Sequence, residues 1–309
     1  DLIVGKARQF YKKTEAGVAK QISTGLDIVK PEKESDFVKW NGSDHWNKLT
    51  GILGIPFGKI VQISGKPDSG KSTHAACFMV DAQKQDVLVI LWDSEGKFAK
   101  RRYEEKMGGD AGRLIIVNTN NIEEGAVAIA NIVHAAKVEY PKCKILIVWD
   151  SVGASINSKE DDEETEGFSS QPGIDAREIG RAIRKINKLM FKYFNKETGE
   201  HSIAALVINQ VYDNIGSVGS KEKGGGQLAF LSSIIIQMSR VTDLIKTKNK
   251  TKYKYGIVTR AKVKKNHLFD GDECVAELNL EVSSSGITVY GAPKSNVDGE
   301  IAEDDDKED

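Results

Sequence analysis

Eight consecutive residues, Gly65-Lys66-Pro67-Asp68-Ser69-Gly70-Lys71-Ser72, set two glycines, a lysine and a hydroxyl at the spacing G-x-x-x-x-G-K-[ST]. The glycines permit backbone dihedrals that turn successive N–H groups toward one point. A helix opening near Gly70 adds its positive end to the same point. Lys71 is placed to reach β- and γ-phosphates, and the Ser72 hydroxyl, with Thr73 beside it, to serve Mg²⁺ and the phosphates. The stretch is built to hold a nucleoside triphosphate.

A phosphate-bound Mg²⁺ calls for a second carboxylate. "ILIVWDS" supplies Asp150 after five apolar residues, at a strand's carboxyl end, where ligands of such sheets bind. Hydrolysis also needs a group that orients or deprotonates water. "LWDSEGKF" ends another apolar strand with Asp93 and Glu95, and Glu95 is the candidate base.

The elements that must carry these groups alternate. "GKIVQIS" (58–64), "DVLVILWD" (86–93), "LIIVN" (114–118), "KILIVWD" (144–150), "SIAALVIN" (202–209) and "LSSIIIQMS" (231–239) have the apolar character of buried parallel strands. Helical patterns fill 71–84, 97–107, 122–138 and 174–195. Alternation of this kind predicts an α/β fold with a mostly parallel central sheet flanked by helices. After about residue 250 the chain turns β-rich ("YGIVTRAKVKK", "CVAELNLEV", "GITVYG"), which predicts an antiparallel extension of the same sheet. Residues 1–24 read as a helix, 25–50 as a loop-like linker holding Trp40 and Trp46, 51–291 as the core and 292–309 as a disordered tail.

The chain has 309 residues, 39% hydrophobic and 29% charged, enough for one large domain. Cys77, Cys143 and Cys274 lie far apart, fitting a reducing compartment and neither a disulfide framework nor a metal site. No apolar run approaches the roughly 20 residues that span a bilayer. The formal net charge of −1 conceals an asymmetry. The last twelve residues, "DGEIAEDDDKED", hold eight acids and one lysine, so the body carries about +6. Such a tail is either a solubilising segment or an internal polyanion that competes with nucleic acid for a basic surface.

Several ordered motifs resemble one family. "GIPFGKIVQISGKPDSGKST", "WDSEGKF", "IVWDSVG", "VINQVYDNIG", "GGGQLAFLSS" and "AKVKKN" are similar to the RecA recombinases over about residues 45–291. "WDSEGKF" and the triple glycine resemble the phage recombinases of the UvsX type. The resemblance implies a RecA-like P-loop NTPase core that uses ATP and Mg²⁺. It makes Glu95 the catalytic glutamate, puts Asp150 behind the metal, and stacks Tyr103, five residues before Gly108, on the adenine. Tyr290 matches a second nucleotide-proximal tyrosine. Gln210, ending "LVINQ", matches the glutamine that senses the γ-phosphate and signals to a DNA-binding loop. Lys265 and His267 fall where the family supplies two cations across the subunit interface. A histidine there in place of a second lysine implies slower or more pH-sensitive hydrolysis.

For DNA, Arg177, Arg181, Arg184, Lys185, Lys188 and Lys192 fall mostly on one helical face, the footprint of phosphate binding. The resemblance makes Arg177 and Arg184 backbone contacts to single-stranded DNA. It assigns one axial loop to 159–172, acidic here, and a second to 211–226. In the second, Ile215 matches a residue inserted between base triplets, and Gly225 and Gly226 match backbone contacts. Tyr212 and Asn214 replace basic residues of bacterial members, and Tyr212 offers a ring for base stacking.

The expectation is a DNA-dependent ATPase of recombination and repair, in the cytoplasm of a bacterium or phage-infected host. It would form ATP-dependent helical filaments on single-stranded DNA, pair them with homologous double-stranded DNA, and work with single-strand binding and loading proteins. A recombination mediator that binds ATP with little turnover, and a RecA-fold hexameric helicase, are the alternatives. No membrane partner is expected.

Overall fold

The computed structural model describes residues 33–156, 174–213, 220–222, 225–268 and 274–291. The expected N-terminal helix, the acidic loop 159–172, Ile215 and the tail 292–309 lie outside the described residues.

Six strands run parallel. They are β3 (Ile60–Gly65), β4 (Leu88–Asp93), β5 (Leu114–Val117), β6 (Ile145–Asp150), β7 (Ile203–Asp213) and the first half of β9 (Ser232–Lys248), in the spatial order β9-β3-β7-β6-β4-β5. Each central strand is apolar almost throughout because both faces are covered. The expected antiparallel extension is present: β10 (Thr251–Asn266), β11 (Glu277–Ser283) and β12 (Gly286–Val289) follow β9 outward. A short β8 (Ser220–Glu222) pairs with the end of β7.

Helices sandwich this sheet. On one face α2 (Lys71–Lys84) buries Ala75, Phe78, Met79 and Ala82 against β3, β4 and β6. α3 (Lys100–Glu105) sets Tyr103 into the same cluster. On the other face, α4 (Ile122–Glu139) and α5 (Ile174–Lys192) pack on each other and on the sheet. Asn121 caps α4 by accepting the amides of Glu123 and Glu124. α5 buries Ile179, Ile183, Ile186 and Met190, so its basic residues face outward. α6 (Gly225–Leu231) packs on α5 and leads into β9.

Residues 37–50 fall within the stretch expected to be a linker, and the structure places them in the core. β1 (Phe37–Lys39) pairs with β2 (Gly54–Pro56), and α1 (His45–Thr50) follows β1. Trp40 and Trp46 are buried with His45, His74 and Phe78 in one aromatic cluster beneath α2. The mixed polarity that reads as a loop has a local cause: the polar side chains of Ser43 and His45 are used in hydrogen bonds that close this cluster, and the Asn41 backbone N–H donates to Asp81 beside it.

Candidate nucleotide site

Four of the predicted groups arrive at the carboxyl edge of the parallel strands, where open α/β sheets bind ligands. β3 delivers the phosphate loop. Gly65 is pressed against β9, so a Cβ there would stand 2.3 Å from the Met238 carbonyl oxygen. Gly70 takes φ +91°, a left-handed turn into α2. Between them Ser69 Oγ donates to the Lys66 carbonyl at 2.8 Å, and the Thr259 hydroxyl donates to the Ser69 carbonyl at 3.0 Å. The loop is thereby tied to β10 as well as β3. Lys71 Nζ donates to the Lys66 carbonyl at 2.7 Å. Burial lowers the Lys71 pKa, opposed by the charges of Asp150, Glu95 and Asp68.

β4 and β6 end in register, Trp92 beside Trp149 and Asp93 beside Asp150. The two indoles stack with centroids 4.0 Å apart. Their N–H groups are fixed by the Thr119 carbonyl and Ser155 Oγ. Strand alternation sends the next residues to the opposite face, so both carboxylates emerge toward the phosphate loop. They differ in role. Asp93 accepts the amides of Glu95, Lys97 and Phe98 at 3.3, 3.3 and 2.9 Å and thereby shapes the loop that carries Glu95. Asp150 is pushed up to about 6, first by burial, with the Ser72 hydroxyl opposing, the charges of Glu95 and Asp93 reinforcing and Lys71 opposing. A carboxyl so placed is one that a divalent cation would hold ionised. Ser72 and Asp150 are hard oxygen donors beside an amide-lined turn, a set that suits Mg²⁺ shared with phosphates.

Glu95 is gripped from three sides. Its Oε1 accepts the Ser151 hydroxyl at 2.6 Å and Gln210 Nε2 at 2.8 Å, and its Oε2 accepts Lys97 Nζ at 2.7 Å. Burial raises its pKa, but the hydrogen bonds from Lys97, Ser151 and Gln210 and the Lys97 charge prevail and leave it lowered. Gln210 reaches it from β7, where it lies in register with Gly65. Gly153 makes room, since a Cβ there would stand 2.7 Å from Gln210 Cδ.

Beyond Asp150 the cleft runs past Ala75 and Met79 to Phe98, Arg102 and Met107. Tyr103 lines it too, but the open stacking face expected of it is not found. Tyr103 is 2% exposed, donates its hydroxyl to Gln83 Oε1 at 2.9 Å, and is packed against Gly109. A buried partner for the phenol draws the ring into the core as a wall. Arg102, which sequence reasoning passed over, spans the cleft from Thr73 Oγ1 at 2.8 Å to the Ser283 carbonyl at 3.2 Å. Tyr290 is 48% exposed just past β12 and does not line the cleft. Neither Arg102 nor Phe98 had a signal beyond proximity to Glu95.

The family model "RecA N-terminal domain" matches residues 26–282. The chain belongs to the RecA family. It is 32% identical over 245 residues to Protein RecA of Ureaplasma parvum serovar 3, covering 78% of this chain and 66% of that protein. It is 31% identical over 219 residues to Protein RecA of Chlorobium chlorochromatii, 70% of this chain and 56% of the relative. Against Protein RecA of Mesoplasma florum it is 31% identical over 227 residues, 72% and 61%. The chain spans just under two thirds of the length of the curated RecA relatives it matches, or less.

The remaining residues suggested by the RecA resemblance are scattered. Arg177 and Arg184 are exposed on α5, and Arg184 donates to Gln227 of α6 at 3.0 Å. Gly225 and Gly226, the last residues of the stretch matched to the second loop, open α6. Tyr212 is 45% exposed and donates its hydroxyl to Gln210 Oε1 at 2.8 Å. Lys265 and His267 lie at the opposite edge of the sheet, level with the start of β9. There Lys265 Nζ donates to the carbonyls of Ala229 and Phe230 at the end of α6. Neither can serve the nucleotide site of its own chain.

Proposed function

We propose that the chain is a DNA-dependent ATPase that assembles into helical filaments on single-stranded DNA and exchanges strands with homologous double-stranded DNA. In this reading the phosphate loop and Lys71 bind the triphosphate, Ser72 and Asp150 hold Mg²⁺, and Glu95 accepts the proton of the attacking water. Mg²⁺, when bound, supplies charge neutralisation at the phosphates. One observation carries the reading: Gln210 touches Glu95 and sits three residues before the end of β7, immediately before the stretch matched to the second loop. A single amide therefore connects the hydrolytic carboxylate to the segment matched to DNA contact, as a DNA-activated ATPase requires. Lys265 and His267, remote from their own site, act on a neighbouring protomer's nucleotide. Loading and single-strand binding proteins are the expected helpers.

A second reading has a specific observation behind it. Glu95 is held by three donors that keep it a weak base, which favours an ATP-binding mediator with little turnover.

The test is ATP hydrolysis with and without single-stranded DNA, alongside Lys71→Ala and Glu95→Gln. Strong stimulation, lost in both variants, supports the motor. Nucleotide binding without stimulated turnover supports the mediator.

A further inference from the structure

β9 and β10 outrun the sheet. β9 pairs with β3 only as far as Met238, which stands level with Gly65, and β10 pairs with β11 only from Gly256 onward. The β9–β10 pair projects past the edge bearing the phosphate loop, by about 30 Å at ordinary strand rise from Met238 to Lys248, and its last part, beyond Leu244 and Gly256, is a bare two-stranded ribbon. Every residue from Ile245 to Tyr255 is exposed. The ribbon buries nothing that would dictate its sequence, yet the sequence is far from random: "IKTKNKTKYKYG" holds five lysines and two tyrosines. No acid occurs from Leu244 to Phe269.

The register arranges these groups. Lys246 faces Tyr253, Thr247 faces Lys252 and Lys248 faces Thr251, so no lysine stands opposite another. Directly opposed residues share a face, which places Lys246, Lys248 and Tyr253 together. Tyr255, at the bulge between Lys254 and Gly256, lies under Lys246 Nζ at 4.8 Å from its ring centroid. Tyr253 is 53% exposed and carries no such cover. Lys254 pairs with Asp243, but among the described residues no carboxylate pairs with Lys246, Lys248, Lys250 or Lys252. Unneutralised cations at strand spacing, with exposed rings among them, are the chemistry that tracks a phosphate backbone while stacking its bases. A solvated surface would need neither the tyrosines nor the absence of acids.

We propose that this ribbon is a polynucleotide-binding arm, which takes a single strand along the face of Lys246, Lys248 and Tyr253. It is a contact surface distinct from the two loops and from α5. The proposal deepens the DNA-binding reading above by adding a second place for a strand on each protomer.

The test measures binding of a fluorescent oligo-dT and of a duplex of equal length against salt, with ADP and with a non-hydrolysable ATP analogue. The proteins are the full chain, a variant with Lys246→Gln, Lys248→Gln, Lys250→Gln and Lys252→Gln, and Tyr253→Ala. The lysine variant is expected to bind oligo-dT at least tenfold more weakly, with a salt slope shallower by about 2–3, since each single-strand phosphate contact contributes about 0.7. Tyr253→Ala is expected to weaken binding several-fold with the slope unchanged. ATP turnover without DNA stays at the parent level in both, because the ribbon touches none of the nucleotide-site residues. An unaltered slope and affinity in the lysine variant, with wild type binding DNA, overturns the arm alone. A loss confined to the duplex overturns the single-strand assignment. A wild-type chain that binds neither DNA in either nucleotide state defeats the functional reading itself. The substituted residues are exposed, so the core is left intact, and an unchanged melting temperature checks it.

Discussion

The Tyr212 hydroxyl holds Gln210 Oε1 at 2.8 Å while Gln210 Nε2 holds Glu95 Oε1 at 2.8 Å. The phenol thereby fixes which end of the amide faces the carboxylate. With its oxygen engaged, Gln210 presents N–H to Glu95 and to Ser151 Oγ. The position is one where the RecA resemblance leads to a basic residue, so this chain has its own link between loop and site.

Removing the hydroxyl should loosen that link. Tyr212→Phe keeps the ring but frees the amide oxygen, at a cost of about 1 kcal/mol for one hydrogen bond. The expected outcome is a roughly fivefold change in the ratio of DNA-stimulated to basal hydrolysis, with ATP affinity unchanged. Steady-state turnover with and without single-stranded DNA reads it directly. An unchanged ratio would remove Tyr212 from the path between DNA and Glu95.

Lys265 and His267 allow a test of action across subunits. Both sit at the sheet edge away from their own phosphate loop. Mixing inactive Lys71→Ala protomers with Lys265→Ala protomers should restore about a quarter of wild-type turnover, because random head-to-tail contacts regenerate one intact interface in four. Lys265 also caps α6, and damage of that kind within one chain is not rescued by mixing. The two origins of a loss therefore separate. His267→Lys should raise turnover; a rate like the parent's would remove His267 from the site.

The placement of the candidate groups at strand ends was legible because each follows an apolar run: Lys71 after β3, Glu95 after β4, Asp150 after β6 and Gln210 in β7. Periodicity identifies such strands, and their carboxyl edge is where ligands bind. Three features were not legible, each for a physical reason. Trp40 and Trp46 sit among polar residues whose hydrogen bonds close a buried cluster, so local polarity concealed a core segment. Tyr103 has the spacing of a stacking residue, but its exposure is decided by Gln83, twenty residues earlier on α2. The length of β9 and β10 was hidden because the ribbon has no buried face, leaving hydropathy without a signal.

Gly125 is fixed by a close approach on α4. A Cβ at this position would fall 2.0 Å from Trp92 Cζ2, and that indole is stacked on Trp149 with no slack. Gly125→Ala should therefore destabilise by about 2–3 kcal/mol through overpacking, despite the better helix propensity of alanine. Displacing Trp92 also shifts Asp93, which positions the Glu95 loop. Denaturant unfolding and turnover should both suffer. Stability equal to the parent's would mean that the indole pair has room to move.

The buried histidine pair makes stability depend on pH. His45 Nε2 and His74 Nε2 are 3.1 Å apart, and Ser43 Oγ lies 2.7 Å from His45 Nδ1. Burial lowers His45 from 6.5 to about 4, with the Asp44 charge opposing. His74 is held well below its ordinary value by burial and then by His45. Both are neutral in the fold and protonate more readily in the unfolded chain. Their contribution is therefore fully present above pH 6.5 and is lost as pH falls from there toward 4, with His45 alone accounting for about 3 kcal/mol. Unfolding free energy of the parent should drop steeply across that window. His74→Met, which keeps the volume and removes one titrating group, should lessen the slope while lowering stability little at pH 8. A slope identical to the parent's between pH 6.5 and 4 would assign the acid sensitivity to other groups.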